Sequence, residues 1–106
     1  MVENKVVLLI EILLDKHEEI GTRHDAAMDL GYYDNPLAFE ALLKIATTPD
    51  EGEEFLVDAC GESIAQISLI RNLFEPKYLE QMKPAARHGA ISVIAANKPE
   101  WLKNKI

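Results

Sequence analysis

Apolar positions recur at helical spacing along most of the chain, and Gly and Pro stand at the ends of the repeating segments. No stretch alternates with period two over a useful length, as a half-buried strand would. The pattern therefore predicts an all-α fold in a single domain over residues 1–106. The predicted helices cover about residues 2–15, 23–30, 36–46, 51–70, 76–82 and 84–96, and a final turn from Pro99 anchors Trp101 and Leu102.

Capping residues set several of these boundaries. Thr22 followed by Asp25 resembles a capping box and predicts the start of the second helix. Gly31 ends that helix, because glycine tolerates the positive φ of a helix C-terminus. Asp50 with Glu53 repeats the cap-plus-acid arrangement before the fourth helix.

The third and fourth helices each carry one apolar stripe. Either Asp34 or Asn35 caps the third helix, and Pro36 suits its first position because the missing N–H costs nothing there. Its core-facing stripe consists of Ala38, Ala41, Leu42, Ile45 and Ala46. The stripe of the fourth helix consists of Leu56, Ala59, Cys60, Ser63, Ile64 and Ile67.

The first helix is apolar on more than one stripe. This predicts burial on two sides, or a terminal helix that seals another surface. Its apolar run is interrupted by Glu11 and is too short to span a bilayer. The run also lacks the flanks of a signal peptide, so we expect a cytoplasmic protein that does not bind membranes.

Two segments resemble copies of one unit. Residues 23–31 align with residues 56–64 at an offset of 33, so that Asp25 meets Asp58 and Asp29 meets Glu62. A helical period in the range of about 20–50 residues indicates stacked helical repeats. A third copy around residues 87–90 aligns only on small residues. We therefore predict a short α-solenoid of about three stacked antiparallel helix pairs, an architecture that usually works by presenting a binding surface.

The first unit also resembles a known family. The residues that carry the likeness are Arg23, Ala26, Ala27, Leu30, Gly31, Asn35, Pro36, Ala38, Leu42 and Leu43. They resemble the HEAT-like repeat, particularly the subtype of phycobiliprotein-lyase-like proteins. The resemblance covers residues 22–70 best and implies protein binding along a concave surface. Residues 55–67, the second copy, lack the Leu-Gly ending, and no lyase residue set can be carried over.

Charge is divided unevenly between the two halves of the chain. Residues 1–62 carry a net charge of −11 and residues 63–106 a net charge of +4, which gives −7 overall. Such an acidic half disfavours nucleic acid and favours a basic protein partner through long-range attraction.

No catalytic constellation, metal site or cofactor motif appears in the sequence. His17, His24 and His88 lack the spacing of a zinc helix, and Cys60 is the only cysteine, so no disulfide forms within the chain. We predict no catalytic residue, no metal and no cofactor.

The acidic pairs are the candidate binding residues. Asp25 and Asp29 are spaced i, i+4, as are Asp58 and Glu62, with Glu54 one turn earlier. Like charges at this spacing cost a few tenths of a kcal/mol per pair. They form either a solvated face that aids solubility or an acidic strip that binds a partner. Tyr32 and Tyr33 would flank that strip as interface aromatics.

The leading functional hypothesis is a non-enzymatic protein-binding module. Its most concrete form is an immunity protein that neutralises a basic, nuclease-type bacterial toxin by imitating the charge of the substrate. The alternatives are a HEAT-like scaffold or adaptor, with weak self-association through exposed repeat ends, and an enzyme such as a HEAT-like lyase or a relative of DNA-repair glycosylases.

Overall fold

Six α-helices account for most of the described part of the chain, residues 2–49 and 53–103 of a computed structural model. They are α1 (Val2–Leu14), α2 (Ile20–Leu30), α3 (Pro36–Thr47), α4 (Glu54–Arg71), α5 (Lys77–Gln81) and α6 (Pro84–Asn97), followed by a 3₁₀ turn (Pro99–Leu102). These two ranges contain no strand, so the predicted all-α class is confirmed. None of their helices is long and apolar enough to cross a membrane.

The N-terminus of α3 is fixed by Asn35. Its side chain accepts hydrogen bonds from the backbone N–H groups of Leu37, at 2.8 Å, and Ala38, at 3.2 Å. These donors have no partner inside the helix, which is why an Asn cap is worth about 1 kcal/mol. Asn35 is therefore the cap rather than Asp34, whose carboxylate binds the guanidinium of Arg71.

The start predicted for the second helix is wrong. α2 begins at Ile20, and Thr22 is an exposed residue of its first turn rather than a cap. Glu19 occupies the N-cap position in an extended conformation, without a side-chain hydrogen bond to the helix. The helix therefore starts three residues before the sequence signal at Arg23.

Gly31 ends α2 for a different reason from the predicted one. Its φ is −65°, in the right-handed region, so no left-handed cap is needed. A Cβ at this position would lie 2.8 Å from Oγ of Ser63 on α4. Ser63 in turn donates a buried hydrogen bond of 2.6 Å to the Ala27 carbonyl. The glycine thus permits close packing of α2 on α4.

The boundaries of α4 are only partly predicted. The helix begins at Glu54, and Asp50, predicted as its cap, lies outside the described residues. At the other end Asn72 adopts the left-handed region, with φ 57°. The N–H of Leu73 then donates to the Ser68 carbonyl at 3.1 Å, which satisfies a carbonyl that the helix leaves open.

A buried arginine joins the first two helices. Arg23 is 6% exposed, and its Nε donates to the Leu13 carbonyl at 2.8 Å. The last four carbonyls of a helix have no partner inside it, so Arg23 satisfies one at the C-terminal end of α1. It thereby holds α2 against α1.

α4 is the central helix of the core. It packs against α2, α3 and α6, whereas α1 packs against α2 and α3. Every residue of the two apolar stripes predicted for the third and fourth helices is buried, so those predictions are confirmed. The largest fully buried apolar side chains are Leu13, Leu30, Leu42, Ile45, Leu56, Ile64, Ile67 and Ile94.

Two glycines allow α4 and α6 to approach closely. A Cβ on Gly61 would overlap the Ala86 carbonyl, and a Cβ on Gly89 would overlap the backbone and carboxylate of Asp58. Each helix therefore presents a glycine to the backbone of the other. This contact fixes the distance between Asp58 and the first turns of α6.

The C-terminal turn packs as predicted. Leu102 is buried, and the Trp101 ring stacks on Phe74 with centroids 5.7 Å apart. The predicted anchoring of Trp101 and Leu102 is confirmed.

Candidate functional site

Glu54, Asp58 and Glu62 lie at successive i, i+4 positions of α4 and therefore share one face of that helix. Asp58 is oriented towards α6, where its Oδ2 lies 3.5 Å from Nδ1 of His88. Its Oδ1 is buried against Gly89, with no hydrogen-bond partner among the described residues. The packing of α4 on α6 thus brings a carboxylate and an imidazole together.

Glu62 has a perturbed titration. Burial raises the pKa of the Glu62 carboxyl above its usual value, and a hydrogen bond with Asp58 and the negative charge of Asp58 raise it further. A hydrogen bond between two carboxyl groups requires a proton on one of them, so it favours the neutral form. His24 and His88 oppose the shift by lowering the pKa in part. Ionisation of Glu62 beside Asp58 is therefore unfavourable in the free protein.

An aromatic contact links α2 to the same region of α4. The His24 ring stacks on the Phe55 ring, with centroids 4.1 Å apart and an interplanar angle of 7°. His24 Nδ1 also lies 3.7 Å from Oδ1 of Asp25. Phe55 remains 55% exposed, so it presents apolar surface beside the carboxylates.

A groove of about 460 Å³ lies between α4 and α6. Its lining consists of Glu54, Phe55, Asp58, Pro84, Ala85 and His88, and we call it the α4–α6 groove. Carboxylates next to an aromatic ring suit a lysine or arginine side chain, which pairs with the charge and packs on the ring. Among the described residues no group of three or more His, Cys, Asp or Glu side chains is arranged to hold a metal ion.

The structure brings together some of the predicted binding residues. Glu54 and Asp58 line the α4–α6 groove, and Glu62 is close enough to Asp58 for that carboxylate to raise its pKa. Asp25 and Asp29 are exposed on α2, and Asp25 is joined to this region through His24 and Phe55.

The two tyrosines differ from each other. Tyr32 is 80% exposed in the turn after α2, whereas Tyr33 is partly buried and packs against the core. Exposure suits Tyr32 to the edge of an interface, and Tyr33 has a clear packing role.

Sequence reasoning did not include His24, Phe55 and His88 in the site. His88 meets Asp58, and His24 meets Phe55, across helix–helix interfaces that no local spacing reveals. One signal was present, since His88 occupies the third-copy position that matches Asp58.

No protein-family model matches the chain, and neither a curated protein nor a solved structure matches it significantly. The resemblance to HEAT-like repeats therefore remains a prediction from the residues.

Proposed function

We propose that this chain is a non-enzymatic protein-binding module whose acidic strip holds a basic partner. The strip comprises Asp25, Asp29, Glu54, Asp58 and Glu62. The shared face of Glu54, Asp58 and Glu62 on α4, beside the exposed Phe55 ring, supports this proposal most directly. Repulsion from Asp58 contributes to the raised pKa of Glu62 in the free chain. A lysine or arginine from a partner would relieve that repulsion and favour the ionised form.

A short stack of helix pairs would present this strip along one side. Three features support that architecture, which is the HEAT-like α-solenoid of the sequence prediction. α4 packs on both α2 and α6, as the second helices of neighbouring pairs do in such a stack. The thinnest dimension is 19 Å, about two helix layers. The aligned pairs Arg23/Leu56, Ala26/Ala59, Ala27/Cys60 and Leu30/Ser63 are buried in both copies.

The most concrete form of the proposal is an immunity protein for a nuclease-type toxin. A nuclease cleft is basic because it binds phosphates, so an acidic surface competes for it and gains fast, steered association. The net charge of −11 over residues 1–62 and the mixed carboxylate and aromatic lining of the α4–α6 groove fit such a partner.

The first experiment is recovery of the partner from the native host with the tagged full chain, followed by mass spectrometry. The affinity of the recovered protein is then measured for the wild type and for a variant carrying Asp25→Asn, Asp29→Asn, Asp58→Asn and Glu62→Gln. We expect at least about a tenfold loss of affinity at low salt, and a weaker salt dependence, because attraction to the strip is removed.

A matched control keeps the same change in net charge. It carries Asp15→Asn, Glu75→Gln, Glu80→Gln and Glu100→Gln, four exposed acids outside the strip. We expect this variant to bind within about twofold of the wild type. Equal losses of affinity in the two variants would mean that net charge, and not the position of the strip, determines binding. A recovered partner with no basic surface would contradict the toxin hypothesis and favour the scaffold or adaptor alternative.

A further inference from the structure

α1 carries two apolar stripes, of which one is buried and the other is partly covered. Val6, Leu9 and Leu13 are buried against the rest of the core. A second stripe at Val7, Ile10 and Leu14 has the same helical spacing. Ile10 and Leu14 are partly buried against the core, whereas Val7 is 45% exposed. The sequence predicted burial of α1 on two sides, or a terminal helix that seals another surface, and the folded chain covers the second stripe only in part.

The second stripe forms one wall of a groove with α3. The groove encloses about 440 Å³. Its lining consists of Val7, Ile10, Glu11, Leu14, Leu37, Glu40, Ala41 and Lys44, and we call it the α1–α3 groove. Leu37 is 57% exposed within it. Leu37, Ala41 and Lys44 have the i, i+4, i+7 spacing of one face of α3, so each of the two helices contributes one row of side chains to the groove.

We propose that the α1–α3 groove binds an amphipathic helix of a partner protein, with an apolar face and Lys or Arg on its flanks. A helix lays apolar residues at i, i+3, i+4 and i+7 into a groove of this kind. The apolar side chains that line the groove would pack against those residues of the partner helix. Burial of exposed side chains such as Val7 and Leu37 provides the driving force.

Charge selects this occupant over the others. The groove carries two carboxylates, Glu11 and Glu40, against one cation, Lys44, within a half of the chain whose net charge is −11. A second copy carries the same net charge of −7, so long-range repulsion disfavours it, and an anionic membrane would be repelled likewise. A helix with basic flanks pairs with both carboxylates while its apolar face fills the groove.

This groove is formed by α1 and α3, whereas the acidic strip lies on α2 and α4, so the two proposals can fail separately. The test is a titration of the isotopically labelled full chain, followed by NMR, with a synthetic helical peptide of about 18 residues. The peptide has Leu along one face and Lys at the remaining positions, and a reference peptide has Glu in place of each Lys. We expect saturable shift changes centred on α1 and α3 for the Lys peptide, and weaker binding of the Glu peptide.

Two exposed leucines provide matched variants. Leu37→Asp places a charge in the groove and should weaken binding of the Lys peptide by about tenfold or more. Leu73 is 60% exposed and lies outside the groove, so Leu73→Asp should change affinity by less than about twofold. The double variant Glu11→Gln, Glu40→Gln should lower the affinity several-fold and reduce its dependence on salt.

Several results would overturn the proposal. These are shift changes centred on α2 and α4, equal losses in the two leucine variants, or equal binding of the two peptides. A dimer of the peptide-free chain that Leu37→Asp dissociates would assign the groove to a second copy. Co-sedimentation with phosphatidylserine–phosphatidylcholine vesicles that depends on Leu37 would assign it to a membrane.

Discussion

Glu62 shows how the packing of three helices sets the chemistry of one residue. The carboxyl is partly buried on α4, where Asp58 of the same helix raises its pKa, and His24 on α2 and His88 on α6 lower it in part. Burial and Asp58 outweigh the two imidazoles, so the net effect is to raise the pKa of Glu62. A glutamate with a raised pKa destabilises the folded state wherever it is ionised.

Replacement of Glu62 by Gln should therefore stabilise the folded chain at neutral pH. Below the ordinary pKa of glutamate the carboxyl is protonated in both the folded and unfolded states. As the pH rises through the ordinary value to the raised folded value, the unfolded chain ionises first and the wild type loses stability. The Gln variant has no such loss, so we expect a gain of a few tenths of a kcal/mol at pH 7 that disappears in acid. Urea unfolding of the wild type and the variant across this pH range measures the difference in their free energies of unfolding.

The control for this prediction is Glu40→Gln. Glu40 is exposed on α3 and stands four residues before Lys44, a favourable spacing, so its removal should be neutral or slightly destabilising at pH 7. A gain of the same size in both variants would mean that net charge alone determines the effect.

Individual residues were predictable where local spacing decides their role. The core positions of α3 and α4 follow from helical periodicity, and Asn35 was one of two candidate caps. Phe55 and His88 could not be assigned to the site, because their contacts with His24 and Asp58 depend on how α4 meets α2 and α6.

The approach of α6 to α4 is the interaction between elements that shapes the candidate site. Gly61 and Gly89 leave the space that the opposite backbone occupies. His88 stands directly before Gly89, so the position of its imidazole relative to Asp58 follows from this contact. A side chain at either glycine would separate the two helices.

Gly89→Ala should destabilise the fold by about 1–3 kcal/mol, the usual cost of an overpacked core, and displace His88 from Asp58. The Cβ would meet backbone and carboxylate atoms of Asp58 rather than the mobile end of a long side chain. Thermal unfolding measures the first effect, and NMR shifts of His88 the second.

Gly21→Ala is the matched substitution. Gly21 lies exposed in the first turn of α2, and a Cβ added there would have no neighbouring atom within 4 Å. The same chemical change should there stabilise the chain by up to about 1 kcal/mol, because alanine favours the helix. Destabilisation by both substitutions would show that steric contact with Asp58 is not the cause.

Helix ends were less predictable than helix interiors. Pro36 and Pro84 predicted the starts of α3 and α6 because proline restricts the first turn. Thr22 gave a false start for α2, since the helix extends to Ile20 without a side-chain cap. Gly31 marked the correct end for another reason, its contact with Ser63.

For the molecule as a whole, the all-α class followed from composition and periodicity, but the neighbours of each helix did not. Alignment of residues 23–31 with residues 56–64 predicted that α2 and α4 are equivalent helices, and this equivalence stays a prediction. The sequence could not predict which face of α1 packs on the core, because a helix with two apolar stripes can bury either of them.

The buried position of Cys60 has an experimental consequence for the whole molecule. It is the only cysteine in the chain, and its side chain is 0% exposed in the middle of α4. A thiol reagent reaches the sulfur only in molecules whose central helix has transiently separated from its neighbours. Labelling in native buffer should therefore be far slower than in urea. The ratio of the rate in urea to the rate in native buffer reports the opening equilibrium without an introduced probe, and it should rise when a ligand binds the closed form.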